Sequence, residues 1–298
     1  KSIVMALPTY IMSCCRLPKG LCKEICGYMA KFWRGQNEGE RKMQWISWEK
    51  ITQVRGSGGL GFRDLEHFNS ALLAKQLWRI LMQPDSLVSR VLGAKYKFSQ
   101  SGWEGEAPKN ASWVWRSIAS SSSVLQKGMW KRVGDGTSID IWRDKWIMES
   151  PTGRITTRKP PDCRIQLVAE LIKERKWNKE LIEGTFSEGE ASQIMQIPLS
   201  LFPRQDTIYW KYSKSGVYSV KSGYAVEKEE IGKRSKEVQG GEGTSYAQNS
   251  DKVWKSLWGL KMKQKIKHFI WRCLHNSIPV NELIHKRTGK GSPLCKCC

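Results

Sequence analysis

The sequence has no Asp–Asp pair, only four histidines, and far fewer acids than bases: 28 Asp and Glu against 50 Lys and Arg in 298 residues. Each shortage excludes something. Two-metal phosphoryl transfer needs clustered carboxylates that hold ions about 3.5–4 Å apart. Here the Asp residues are isolated, several of them at expected caps and turns, and no Tyr is followed by x-Asp-Asp. Histidines 67, 268, 275 and 285 leave little room for a Ser/His/Asp grouping. No apolar run approaches the roughly 18 residues of a membrane helix. The stretch Lys1 to Pro8 has no small-residue cleavage site, and Pro8 interrupts its apolar run, so it is not read as a secretory signal. The nine cysteines are odd in number and scattered, which points to reduced thiols rather than a disulfide framework. The expectation is an intracellular chain, nuclear or cytoplasmic, and not secreted. It does not begin with Met, which suggests a fragment or a pseudogene-like reading frame.

What is abundant is positive charge. The net is +22, and a chain this basic tends to bind polyanions, because each Lys or Arg on a phosphate releases condensed counterions. Hydrophobic residues make up 40%, enough for a core, and the 15 Trp supply large apolar area, most of it expected inside.

The pattern reads as mainly α with small antiparallel β hairpins (α+β), in four segments. Residues 1–126 read as helical. Pro18 can open a helix carrying Leu21, Ile25, Met29 and Phe32, with Gly35 at its end. After Trp45, Trp48 and Ile51 comes a glycine-rich turn, Gly56 to Phe62. Asp64 then caps the strongest helix, with Leu65, Phe68, Leu72, Leu73, Leu77, Ile80 and Leu81, and Pro84 stops it. Shorter helices are expected over Leu87–Tyr96 and around Trp113, Trp115 and Ile118. Residues 127–230 read as a connector. One hairpin is expected to pair Trp130–Val133 with Ser138–Trp142 across Gly134-Asp135-Gly136. Another is expected to pair Ile208–Tyr212 with Val217-Tyr218 across Ser213–Gly216. Leu167, Leu171, Trp177 and Ile182 suggest short helices, and Ser219 is placed to cap a helix from Val220. Residues 231–250, rich in Gly, Ser, Lys, Glu and Gln, read as a flexible linker.

Residues 251–298 form the last segment, with eleven Lys and Arg against Asp251 and Glu282. Ile266, Phe269, Ile270, Cys273 and Leu274 form an apolar face at helical spacing. Lys261, Lys263, Lys265 and Lys267 alternate; on a strand they line one face, on a helix they spread over a polar arc. With Arg272 they are the candidate nucleic-acid contacts. Cys295-Lys296-Cys297-Cys298 ends in a CxxC spacing, Cys295 and Cys298, that lets two thiolates share one zinc. It is half a site, because structural zinc takes four ligands, and His285 is the nearest imidazole in sequence. The Gly56–Gly61 run lacks a following Lys-Ser/Thr pair and a βαβ setting, so it reads as a tight turn rather than a phosphate cradle. Cys22 and Cys26, one helical turn apart, read as packing thiols. No catalytic residue is assigned.

The order of these motifs resembles a known family. Ala6-Leu7-Pro8-Thr9-Tyr10, Phe32-Trp33-Arg34-Gly35, Ser47-Trp48, Gly58-Gly59-Leu60-Gly61-Phe62-Arg63-Asp64-Leu65 and Ala71-Leu72-Leu73-Ala74-Lys75-Gln76 resemble the region after the palm of plant LINE-type (non-LTR) retroelement reverse transcriptases. Val133-Gly134-Asp135-Gly136, Ile141-Trp142 and Asp144-Lys145-Trp146 match that family further along. Tyr218-Ser219-Val220-Lys221-Ser222-Gly223-Tyr224, Trp254-Lys255-Ser256-Leu257-Trp258 and Lys265–Arg272, through to Cys295 and Cys298, resemble its zinc-binding region. The resemblance implies a multidomain RNA-directed DNA polymerase, with an endonuclease and the palm upstream and a ribonuclease H domain often downstream. In that family the CxxC continues to a His and a further Cys, whereas this sequence stops at Cys298, and the palm carboxylates are missing. The implied architecture is a helical thumb-side region, a small connector and a truncated zinc-binding region. The implied role is a non-catalytic fragment that grips RNA and DNA, with zinc only where further ligands are supplied, and with no membrane and no small-molecule substrate. A stand-alone basic nucleic-acid-binding adaptor derived from such an element is the alternative. A hydrolase such as ribonuclease H would need the carboxylate cluster that is missing.

Overall fold

The structure is a computed structural model that describes residues 6, 8–35, 43–96, 107–200, 202–238 and 246–294. It is mainly helical, with two two-stranded antiparallel sheets. In chain order the helices and strands are α1 (Thr9–Cys14), α2 (Lys19–Trp33), α3 (Trp48–Thr52), α4 (Leu65–Met82), α5 (Leu87–Tyr96), α6 (Trp113–Ala119), α7 (Ser122–Gly128), β1 (Met129–Arg132), β2 (Ile172–Lys173), β3 (Lys176–Trp177), α8 (Lys179–Thr185), α9 (Glu188–Gln196), β4 (Thr207–Trp210), α10 (Val220–Val238), α11 (Tyr246–Gly259), α12 (Gln264–Leu274) and α13 (Asn281–Thr288). The chain divides into two compact units. One is built from residues 1–10, 17–68 and 232–298, the other from 11–16 and 69–231.

Local chemistry starts and stops the helices where expected. Pro18 stands at the N-cap of α2. The Asp64 carboxylate accepts from the backbone N–H of Glu66 and His67 at 3.0 and 3.2 Å, satisfying donors that the first turn of α4 leaves open. Pro84, two residues past α4, cannot continue it. Ser112 caps α6, and the Ser219 hydroxyl accepts from Ser222 N–H at 3.1 Å at the start of α10.

The first unit is organised around the glycine-rich turn. Ile51, Leu60, Phe62, Leu257 and Trp271 form its buried cluster, with Trp33, Trp48, Trp254 and Trp258 packed on it. α2 buries Cys22, Met29 and Ala30 but leaves Leu21 and Phe32 exposed.

The second unit has two cores. Leu73, Leu77 and Trp78 of α4 meet Trp115, Ile118, Val124, Leu125, Trp210 and Tyr218 in one. Ile139, Ile141, Trp146, Val168, Leu171, Ile182 and Ile194 fill the other. Fully burying each aliphatic side chain of this kind stabilises by roughly 1.5–3 kcal/mol.

Both expected hairpins are corrected. β1 pairs with β4, Met129 opposite Trp210 and Arg132 opposite Thr207, and not with residues 138–142. The cause is Asp206. Its carboxylate accepts from the N–H groups of Gly134, Gly136 and Ser138 at 2.7, 2.9 and 2.8 Å and from the Ser138 hydroxyl at 2.9 Å. The Gly-Asp-Gly segment therefore wraps a carboxylate instead of reversing a ladder. The 213–216 turn does form, with Trp210 N–H on Gly216 O at 2.7 Å, but residues 217 and 218 make no strand. Trp177, expected on a short helix, lies on β3; the β2–β3 hairpin turns at Glu174 and Arg175, whose φ angles are 50° and 61°. Residues so turned at both positions suit a tight two-residue hairpin without glycine.

Candidate nucleic-acid interface

α12 is held by the turn at Gly58. The Trp271 indole N–H donates to Gly58 O at 2.6 Å, and the His275 Nε2–H donates to the same oxygen at 2.8 Å. The Trp254 ring stacks on His275 with centroids 4.8 Å apart and planes 16° apart. Gly58 has φ +86°, and a Cβ there would lie 2.9 Å from the Trp254 ring, so only glycine fits. The turn presents a carbonyl to indole and imidazole donors; it is a socket for two helices, in line with a structural turn.

The buried face of α12 therefore holds Lys267, His268, Trp271 and His275, which share one side at helical spacing. Trp271 is 1% exposed. His268 sits between the Trp33 and Trp258 rings, at 6.0 and 6.1 Å. Burial, then the charges of Arg55 and Arg272, lower its pKa. Burial likewise lowers that of His275, against the Gly58 hydrogen bond. This corrects most of the apolar stripe: Ile266, Phe269 and Leu274 are 47%, 59% and 49% exposed and Cys273 is exposed too, while Ile270 is half-buried and packs on the cluster with Trp271. The flat rings of Trp271 and His275 both reach the Gly58 carbonyl, and that hydrogen bonding selects the more polar face for burial.

The basic candidates do not all converge. Lys261 and Lys263 precede the helix, Lys263 as its N-cap, and both are exposed. Lys265 and Arg272, seven residues apart, share an exposed face. Lys267 is half-buried, and its ammonium donates to Trp258 O at 2.9 Å. No acid lies in the first turn of α12, so these cations crowd a helix start whose dipole favours negative charge.

Cys295 and Cys298 lie outside the described residues. The chain leading to them folds back along α13. The His285 Nδ1–H donates to Gly291 O at 2.7 Å, and Asn281 Nδ2 donates to Leu294 O at 2.9 Å. Among the described residues no group of three or more His, Cys, Asp or Glu could hold a metal ion. Two thiols at CxxC spacing suit zinc chemically but fill only half of a four-ligand site. No described helix is long and apolar enough to cross a membrane.

The Tyr218–Tyr224 motif serves the core of the second unit. The Tyr218 hydroxyl donates to Ala71 O at 3.0 Å, and burial pushes its pKa up. A Cβ on Gly223 would meet that hydroxyl at 1.8 Å, and Ser222 Oγ accepts from the Trp210 indole at 3.0 Å. Gly223 is thus required by the close approach of Tyr218.

Residues 218–298 match the family model described as "zinc-binding in reverse transcriptase". An uncharacterized mitochondrial protein of Arabidopsis thaliana is 44% identical over 146 residues, 49% of this chain and 95% of that protein. The chain belongs to the family of that protein and is related to retroelement reverse transcriptases. A "Putative ribonuclease H protein" of the same plant is 27% identical over 307 residues, covering 100% of this chain but 47% of that relative, so the chain spans about half of its length. No solved structure matches.

Proposed function

We propose that the chain is a non-catalytic fragment of a LINE-type retroelement RNA-directed DNA polymerase that grips RNA or DNA. The observation that carries this reading is the run of exposed cations at the start of α12, with no acid in its first turn, inside the segment matched to a reverse-transcriptase region. Lys261, Lys263, Lys265 and Arg272 reach phosphates as a loose cluster, and Lys267 braces α12 against α11. In the proposed layout, residues 1–126 are the thumb-side region, 127–230 the connector, 231–250 the linker and 251–298 the truncated zinc-binding region. Cys295 and Cys298 would hold zinc where two further ligands complete it, and the ion would then act as a structural cross-link. The role is to hold template and primer while a palm elsewhere performs the transfer.

The second reading, a stand-alone nucleic-acid-binding adaptor, is favoured by one observation. A segment of 146 residues similar to part of this chain makes up 95% of a separate protein.

The test is binding of the full chain to a 20-nucleotide RNA and its DNA counterpart between 50 and 200 mM salt. Affinity is expected to fall steeply with salt and to differ little between sequences. The double variant Lys261→Glu/Lys265→Glu is expected to reduce the steepness of the logarithmic salt dependence by about 1–2. A flat salt dependence, or no binding at 50 mM, overturns the reading.

A further inference from the structure

A second cationic surface is built within the other unit, from residues not named above as contacts. Lys75 and Arg79 of α4, Arg132 of β1 and Lys214 of the turn after β4 line one groove of about 580 Å³, with Trp78 and Tyr209 among its walls and no acidic residue in its lining. The four cations come from three separate stretches of chain, so the fold has gathered them.

Among the described residues none of the four is in an ion pair. Lys75 donates to the Tyr218 carbonyl at 2.8 Å, and the Arg132 guanidinium lies 5.3 Å from the Tyr209 ring centroid. The two carboxylates next in sequence to β4 and to Lys131's partner loop are engaged elsewhere: Asp206 holds the 134–138 loop, and Asp144 takes Lys131. Four like charges around one concavity repel one another until an anion enters, and a cleft of one sign focuses its field.

The shape favours a repeating anion. Lys75 and Arg79 are spaced about 6 Å along the axis of α4, and Arg132 and Lys214 extend the cationic lining onto other elements. The half-buried Tyr209 ring offers an aromatic wall of the kind on which bases stack. We propose that this groove binds the phosphodiester backbone of a single nucleic-acid strand. The assignment rests on the nucleic-acid reading above and locates a contact that the C-terminal lysines do not provide.

The experiment compares three full-length proteins: the parent chain, the triple variant Arg79→Glu/Arg132→Glu/Lys214→Glu, and a control, Arg164→Glu/Lys173→Glu/Lys176→Glu. The control makes the same charge change at exposed positions of the same unit, outside the groove. Far-ultraviolet circular dichroism verifies that both variants fold. With a 20-nucleotide single strand at 50 mM salt, the groove variant is expected to bind about tenfold more weakly or worse, with its logarithmic salt slope reduced by about 2. The control is expected to stay within about threefold of the parent. Equal losses in the two variants would mean that net charge alone acts, and would overturn the proposal. So would parent-like binding by the groove variant, with the fragment reading left standing. Displacement of the strand by an equimolar nucleoside triphosphate makes the groove a site for free nucleotides and overturns the assignment to a strand. Failure of the parent chain to bind any strand removes both readings.

Discussion

Glu190 is 9% exposed and yet keeps its charge. Burial pushes its pKa up, but the hydrogen bonds from the Thr157 hydroxyl, the Thr156 N–H and hydroxyl, and the Ser187 hydroxyl outweigh it and hold the pKa at about 2. A carboxylate with a lowered folded pKa adds stability above its unfolded value, and that stability is lost as pH falls through the folded one. The second unit is therefore expected to weaken between about pH 4.5 and pH 2. Glu190→Gln should flatten that acid limb and cost about 2 kcal/mol or more at neutral pH, read from denaturant midpoints at a series of pH values. In the sequence only Ser187, three residues before it at the start of α9, marks Glu190, as a Ser-x-x-Glu pair; Thr156 and Thr157 lie more than thirty positions away and belong to no motif. Asp64 was legible for the opposite reason: its donors are two and three residues ahead of it.

At the scale of elements, helices and the places of two strands were readable, and the strands' partners were not. Caps and prolines act within one turn, so Pro18, Asp64, Pro84 and Ser219 mark real boundaries. Strand partners are chosen by distant chain: Met129 meets Trp210, and the link is tightened by one carboxylate at Asp206. Asp206→Ala should strand the N–H groups of Gly134, Gly136 and Ser138 and destabilise the second unit by about 2–4 kcal/mol in urea titration. Asp206→Asn, which keeps acceptor capacity on one oxygen, should cost less. On α12 four of the five residues of the periodic apolar stripe are exposed and only Ile270 packs inward, since periodicity cannot register that an indole and an imidazole share a carbonyl. The alternating lysines follow the helical of the two arrangements open to them: with the helix starting at Gln264 they spread out, and Lys265 and Arg272 share an exposed face. The groove in the second unit left little trace in sequence beyond Lys75 and Arg79, four residues apart on one helix.

For the whole molecule the informative quantity is charge. The net of +22 was visible at once, and it raises the expectation of a polyanionic partner without marking a surface. Among the described residues, several carboxylates accept from backbone N–H groups or pair with lysine, which leaves many cations exposed. The same use of carboxylates bears on chemistry. The purified chain is expected to neither extend a primer nor cut an RNA–DNA hybrid in the presence of magnesium or manganese, since ions about 3.5–4 Å apart need converging acids. Primer extension and hybrid cleavage, followed on gels beside an active polymerase, check this; a product ladder that vanishes with chelator overturns the fragment reading.

The socket at Gly58 also dictates an order of events during synthesis. Its carbonyl waits for Trp271 and His275, more than two hundred residues later, while the second unit is drawn almost entirely from the chain in between. On the ribosome the second unit can close first, and the first stays open until the last helices emerge. A messenger cut short ahead of Trp254 would leave an indole-hungry loop and bare apolar surface, a product suited to rapid clearance by proteases.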